Sequence, residues 1–176
     1  MTEQHEAIVR TQHQGAIVSA GILLGTGLGG FVDGIVLHQI LQWHNMLSSV
    51  RPPTTLLEMK YNMVWDGLFH AFTWTMVVLG LWRLWQAGFR SDVVWSTRTL
   101  MGALSLGWGL FNVIEGVIDH QLLGIHHVHP GSNELAWDLG FLAFGLVHSA
   151  LGWFLIRAGR SDTTRRGGLG VTTAHD

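Results

Sequence analysis

The chain predicts an all-α integral membrane protein, a four-transmembrane-helix bundle made of two helix hairpins that repeat in parallel. Three observations lead there. Its 176 residues are 48% hydrophobic and only 12% charged, about half the charge of ordinary soluble domains. Four apolar stretches approach or exceed the ~20 residues that a helix needs to cross ~30 Å of hydrocarbon. Two of those stretches also carry the same polar string 82 positions apart, because Asp33-Gly34, His38-Gln39, Leu41 and His44 recur as Glu115-Gly116, His120-Gln121, Leu123 and His126.

The elements follow in order. Residues 1–14 precede the first span, placed at 15–43, whose length and internal Asp33 argue against a signal peptide. Arg51-Pro52-Pro53 and Thr54-Thr55 then interrupt helix, since proline lacks an amide donor and restricts the residue before it. The second span is expected at 62–84 and the third at 99–125. His129-Pro130-Gly131-Ser132-Asn133 breaks the chain again before a fourth span at 136–156. Residues 157–176 are rich in Arg, Thr and Gly and read as a disordered tail. The spans form one membrane domain, 15–156, in which Trp65-Asp66 and Phe69 are echoed by Trp137-Asp138 and Phe141. Helices one and three run the same way, which implies a pseudo-two-fold axis along the membrane normal.

The bases set the orientation. Arg10, Arg83, Arg90, Arg98, Arg157, Arg160, Arg165 and Arg166 share one side, against Arg51 and Lys60 on the other, so both termini are expected in the cytoplasm. Trp43, Trp65 and Trp137 would then mark the outer boundary, and Trp82, Trp85, Trp95 and Trp153 the inner one. The acids and most histidines of the spans fall in the outer half: Asp33, His38 and His44; Asp66 and His70; Glu115, Asp119, His120 and His126; Asp138.

Ionisable groups at bilayer depth cost at least ~2.5 kcal/mol each near the centre, and they usually persist because they bind or move something. With no cysteine in the chain, thiolate zinc and iron–sulfur sites are excluded, while eleven histidines leave imidazole and carboxylate as metal donors. The ten residues listed above are therefore expected to form a metal site opening outward, for one or more ions of copper, iron or zinc. Four-helix bundles build metal sites in this way. Asp33, His38, His44, Glu115, His120 and His126 are the expected ligands; Asp66, His70, Asp119 and Asp138 are further ligands or acids that hold the imidazoles. Met46, Met59 and Met63 near the same face would suit copper, although core packing is the commoner role of methionine.

Helical geometry restricts this picture. Asp33 and His44 project within ~20° of each other on a regular helix, but His38 lies ~140° from Asp33, so either two neighbouring subsites or a local π-bulge is required. Gly21, Gly25 and Gly29 form one small-residue ridge and Gly30 and Gly34 a second, which allow close helix packing. Two other functions remain open: a proton or ion conductor, and an electron-transfer protein with haem held between His38 and His120. The expected partners are the lipid bilayer, a metal donor or acceptor and a second copy of the chain. Nothing in the charge pattern points to nucleic acid.

The strings GFVDGIVLHQILQWHNML, WDGLFHAFTW and FNVIEGVIDHQLLGIHHV resemble a family of small bacterial membrane proteins, a four-helix domain of unknown function, over about residues 15–156. The resemblance implies an integral protein of the bacterial cytoplasmic membrane. It implies no activity and no catalytic residue.

Overall fold

The computed structural model describes residues 13–162, so the readings made for 1–12 and 163–176 lie outside it. Among the described residues, four helical spans are long and apolar enough to cross a membrane, built on α1 (Gly15–Phe31), α2 (Leu56–Gly88), α3 (Thr97–Glu115) and α4 (Glu134–Gly159). Each of α1 and α3 continues without a break into a π-helical segment, Val32–Ile40 and Gly116–Leu122 respectively.

Two boundaries differ from expectation for clear reasons. α2 begins at Leu56 instead of 62, because the Thr55 hydroxyl accepts from the Glu58 amide at 3.2 Å and caps the helix as soon as the prolines are passed. At the other membrane face α4 runs on to Gly159, so Arg157 belongs to its last turn and not to a tail. The helices of the first and third spans end at Ile40 and Leu122, earlier than drawn. His44 and His126 consequently stand in the loops beyond them, and the argument that placed each on a continuous helix with its acid does not apply.

α1 and α3 lie side by side at the centre, with α2 packed on α1 and α4 on α3. Burial reflects this arrangement: 44% of the most apolar stretch of each central span is buried, against 17% in α2 and 11% in α4. The outward faces of α2 and α4 carry exposed Leu, Val, Phe and Trp, as lipid-facing helices do.

Glycine sets the spacing of the central layer. A side chain on Gly21, Gly25 or Gly29 would collide with α3, and one on Gly30 or Gly34 with Thr73, Phe69 and His70 of α2, so the two ridges read from the sequence serve two different neighbours. Gly107 meets the Ile22 carbonyl in the same way. With no hydrophobic drive between helices in lipid, such close backbone approach carries the association. Gly107→Val is therefore expected to destabilise the detergent-solubilised protein by at least the ~1–3 kcal/mol typical of overpacking. Gly67→Ala, at a site with nothing within 4 Å, should leave stability equal or improve it. Circular dichroism melts of the two variants provide the check.

Candidate metal centre

The π segments explain how the acid and the first histidine of each copy meet. In π winding the hydrogen bonds run from i to i+5, which stacks residues five apart on one face. Asp33 and His38 are five apart, as are Glu115 and His120. His38 Nε2 accordingly lies 3.1 Å from Asp33 Oδ2. A regular helix would have separated them.

The chain then turns back over the end of each helix. Leu41 N bonds to the Val36 carbonyl and Leu123 N to that of Ile118, both at 2.8 Å; Trp43 N bonds to Leu37 O and Ile125 N to Asp119 O, both at 3.0 Å. These turns require a left-handed residue, supplied by Gln42 (φ 53°) in the first copy and Gly124 (φ 55°) in the second. Glycine adopts that conformation freely, whereas Gln42 pays about 1–2 kcal/mol for it. The turn returns His44 and His126 to the axis, where their rings stack with centroids 4.7 Å apart and planes 6° from parallel.

Two-fold symmetry governs everything around them. His38 meets His44 edge-on at 4.4 Å, and His120 meets His126 at 4.8 Å. His44 Nε2 is 3.9 Å from Asp33 Oδ1, and His126 Nε2 is 3.6 Å from Glu115 Oε1. All six side chains are at most 5% exposed.

The Nδ1 atoms of His44 and His126 have partners that fix the tautomers, while those of His38 and His120 face carboxylates. His44 Nδ1 donates to the Val128 carbonyl at 2.8 Å, and His126 Nδ1 donates to the Met46 carbonyl at 3.1 Å, so each loop is tied to the other across the axis. A carbonyl can only accept, so both rings carry their proton on Nδ1 and keep a lone pair on Nε2. His38 Nδ1 is 3.1 Å from Asp66 Oδ1, and His120 Nδ1 is 3.4 Å from Asp138 Oδ1. Burial pushes the His44 imidazole down to about 4 and that of His126 to about 3, leaving both neutral near pH 7.

Asp66 and Asp138 are the hubs of the surrounding network. Asp66 accepts from Asn45 Nδ2 at 2.7 Å, Met46 N at 2.8 Å and Gln39 Nε2 at 3.4 Å. Asp138 accepts from His127 Nδ1 at 2.6 Å, Val128 N at 3.0 Å and Gln121 Nε2 at 3.3 Å. The donors of one set correspond to those of the other at the same 82-residue offset.

What remains unpaired lies between them. Among the described residues, the buried Nε2 atoms of His38, His44, His120 and His126, Asp33 Oδ2 and both Glu115 oxygens have no hydrogen-bond partner. Their donor atoms form two groups, each within 4.8 Å: His38, His44 and His126; and Glu115, His120 and His126. Two of these seven, His38 Nε2 and Asp33 Oδ2, face each other at 3.1 Å; buried polar atoms are paired almost without exception in folded proteins, so the other five call for a guest.

The chain matches the model of a family described as "Predicted membrane protein (DUF2243)" over residues 20–159. It belongs to that family. No curated protein and no solved structure matches it. The DUF2243 match spans all four helices and both polar motifs, and ties the centre to a membrane domain.

Of the sequence-predicted residues, six converge and Asp66 and Asp138 stand directly behind them. Asp33, His70 and Asp119 do not join either donor group, although Asp33 stands 3.1 Å from His38 Nε2 and 3.9 Å from His44 Nε2. His70 Nδ1 donates to its own helix at Asp66 O, 2.7 Å away, and its ring packs over Gly34, the place that Leu142 takes over Gly116. Asp119 is half-buried beside a cleft. Met59 and Met63 are exposed on α2. His127, absent from the expected ligands, binds Asp138 and, at 3.2 Å, Glu134; its correspondence to Asn45 in the repeat was the available signal.

Proposed function

We propose that the protein holds a transition-metal centre at one end of its membrane domain, with Asp33, His38, His44, Glu115, His120 and His126 as donors, and uses it for metal handling or metal-dependent redox chemistry. One observation carries this reading. His44, His120 and His126 turn a free Nε2 and Glu115 turns free oxygens into one buried space, beside the His38 Nε2–Asp33 Oδ2 pair at 3.1 Å, while the Nδ1 side of each ring is engaged or faced by a carboxylate or carbonyl. Carboxylate-held imidazoles are the habitual outer shell of metal sites. Neutral imidazole with carboxylate suits copper, iron or zinc, and the six donors suffice for one six-coordinate ion or for two adjacent ions with open positions. A bound cation would also offset the desolvation of two neighbouring acids.

Haem between His38 and His120 is less well supported, because the stacked His44 and His126 rings stand against both. Conduction is weaker still, since toward the opposite end the central interface is glycine and apolar side chains, with Thr26 donating to the Gly107 carbonyl. The bases Arg83, Arg90, Arg98, Arg157 and Arg160 cluster at that opposite end, which supports a centre facing away from the cytoplasm of a bacterial inner membrane.

Elemental analysis of detergent-purified protein tests the proposal. Stoichiometric copper, iron or zinc is expected in the wild type, with marked loss in both His38→Ala and His120→Ala. A preparation that neither contains nor takes up any of these metals would refute the reading, as would undiminished metal in both variants.

A further inference from the structure

The two halves of the molecule match closely around the imidazoles and differ sharply at one place. A cleft of about 430 Å³ opens between α1, α2 and α3, lined by Ile22, Thr26, Phe69, Phe72, Phe111 and Ile114, with Glu115 and Asp119 at one end. Phe72, Ile114 and Ile118 along it are exposed on membrane-spanning helices, so it opens sideways toward lipid. Its inner wall reaches the centre, because the Phe69 ring stacks on His38 at 5.7 Å.

In the other half the equivalent place is closed. The residue 82 positions after Thr26 is Trp108, whose indole covers Gly29 and packs with Phe144 and His148 at 6.1 and 5.8 Å. The residue 82 positions before Asp119 is Leu37. Thus three departures from the repeat fall on one cleft: Thr26 in place of Trp108 gives it room, Asp119 in place of Leu37 gives it an acid, and Phe111 in place of Gly29 gives it a further ring. Asp119 has no side-chain hydrogen bond to any described residue, and its carboxylate is half-buried in apolar surroundings.

We infer that this cleft binds a membrane-dissolved phenol or hydroquinone, its aromatic head among Phe69, Phe72 and Phe111 with a hydroxyl donated to Asp119, and its tail leaving along Ile114 to the bilayer. The occupant follows from the lining. The Asp119 carboxylate disfavours an anionic head and accepts from a hydroxyl, three phenyl rings suit a planar head, and the volume falls within the usual range for small-molecule sites. Entry from the bilayer also fits the aqueous end, where the buried His44 and His126 and their crossed loop bonds lie over the site. The inference concerns the cleft alone and holds with or without a metal.

The test is equilibrium binding of a decyl-substituted hydroquinone to the detergent-purified full chain, beside its dimethyl ether, which has the same shape but no donor. Saturable binding of the hydroquinone is expected, weakened by ~10-fold or more for the ether, as loss of a charge-assisted hydrogen bond predicts. Thr26→Trp, which copies the closed half, and Asp119→Leu, which copies Leu37, should each weaken hydroquinone binding similarly. Equal binding of the ether, or unchanged binding in both variants, would overturn the inference. Metal content measured on the same samples keeps the two proposals apart: metal retained in Thr26→Trp with binding lost supports the cleft, and a metal-free wild type that still binds hydroquinone refutes only the metal reading.

Discussion

Alanine at His126 is expected to empty the centre more completely than any other single substitution. His126 is the one side chain common to both donor groups, so its removal takes a ligand from each. It also removes the ring that stacks on His44 and the Nδ1 bond to the Met46 carbonyl, which freezes the loop across the axis. Loss of a carboxylate that merely orients a ligand costs ~10–100-fold in metal affinity, and loss of the ligand itself together with its anchor should exceed that. His70→Ala is the matched control. Its ring packs over Gly34 and serves α2 internally, so metal content should stay near the wild-type value. Elemental analysis of both variants, with helicity checked by circular dichroism, decides the matter. Undiminished metal in His126→Ala would remove the shared ligand and with it the compact centre.

Much of this arrangement was legible in the chain because both hydropathy and repetition are local signals. Four spans, two glycine ridges and a duplicated acid–His–His string need no tertiary information to be seen. The conflict between Asp33 and His38 on a regular helix was itself informative, since it called for either two subsites or a π-bulge, and π winding is found at Val32–Ile40 and Gly116–Leu122. What stayed hidden depended on where those helices stop. A π segment consumes more residues per turn, so the membrane-spanning helix ends early and His44 and His126 come back through a left-handed turn at Gln42 and Gly124. Nothing in the local pattern around Gln42 announces that turn, because glutamine rarely adopts it. Crossed bonding between the loops joins residues 84 and 80 positions apart, and it and the bond from His127 to Asp138 could be guessed only by treating the two copies as structural equivalents. The same equivalence, applied to its exceptions, isolates Thr26 and Asp119.

The largest loss of stability is expected at Asp66. Its carboxylate, on a residue 1% exposed, accepts from Asn45 Nδ2, Met46 N and Gln39 Nε2 and faces the buried His38 Nδ1, so Asp66→Ala strands several part-buried groups at once. Breaking such a network from one side costs ~3–5 kcal/mol. Asp66→Asn should cost less, since its carbonyl oxygen can still accept from Met46 N, but an amide is a poorer partner for an imidazole and metal affinity should fall by ~10–100-fold even where the fold survives. The effect should not stay in its own half. The Met46 peptide that donates to Asp66 accepts, through its carbonyl, the Nδ1 proton of His126, and the Val128 peptide that donates to Asp138 accepts that of His44. Releasing either acid therefore loosens a histidine belonging to the opposite copy. Asp66→Ala and Asp138→Ala, combined, should destabilise by less than the sum of their separate effects, because each already frees part of what the other holds. Denaturant unfolding of the two single variants and the double variant in detergent measures that coupling, and strict additivity would show that the crossed loop bonds do not link the two halves.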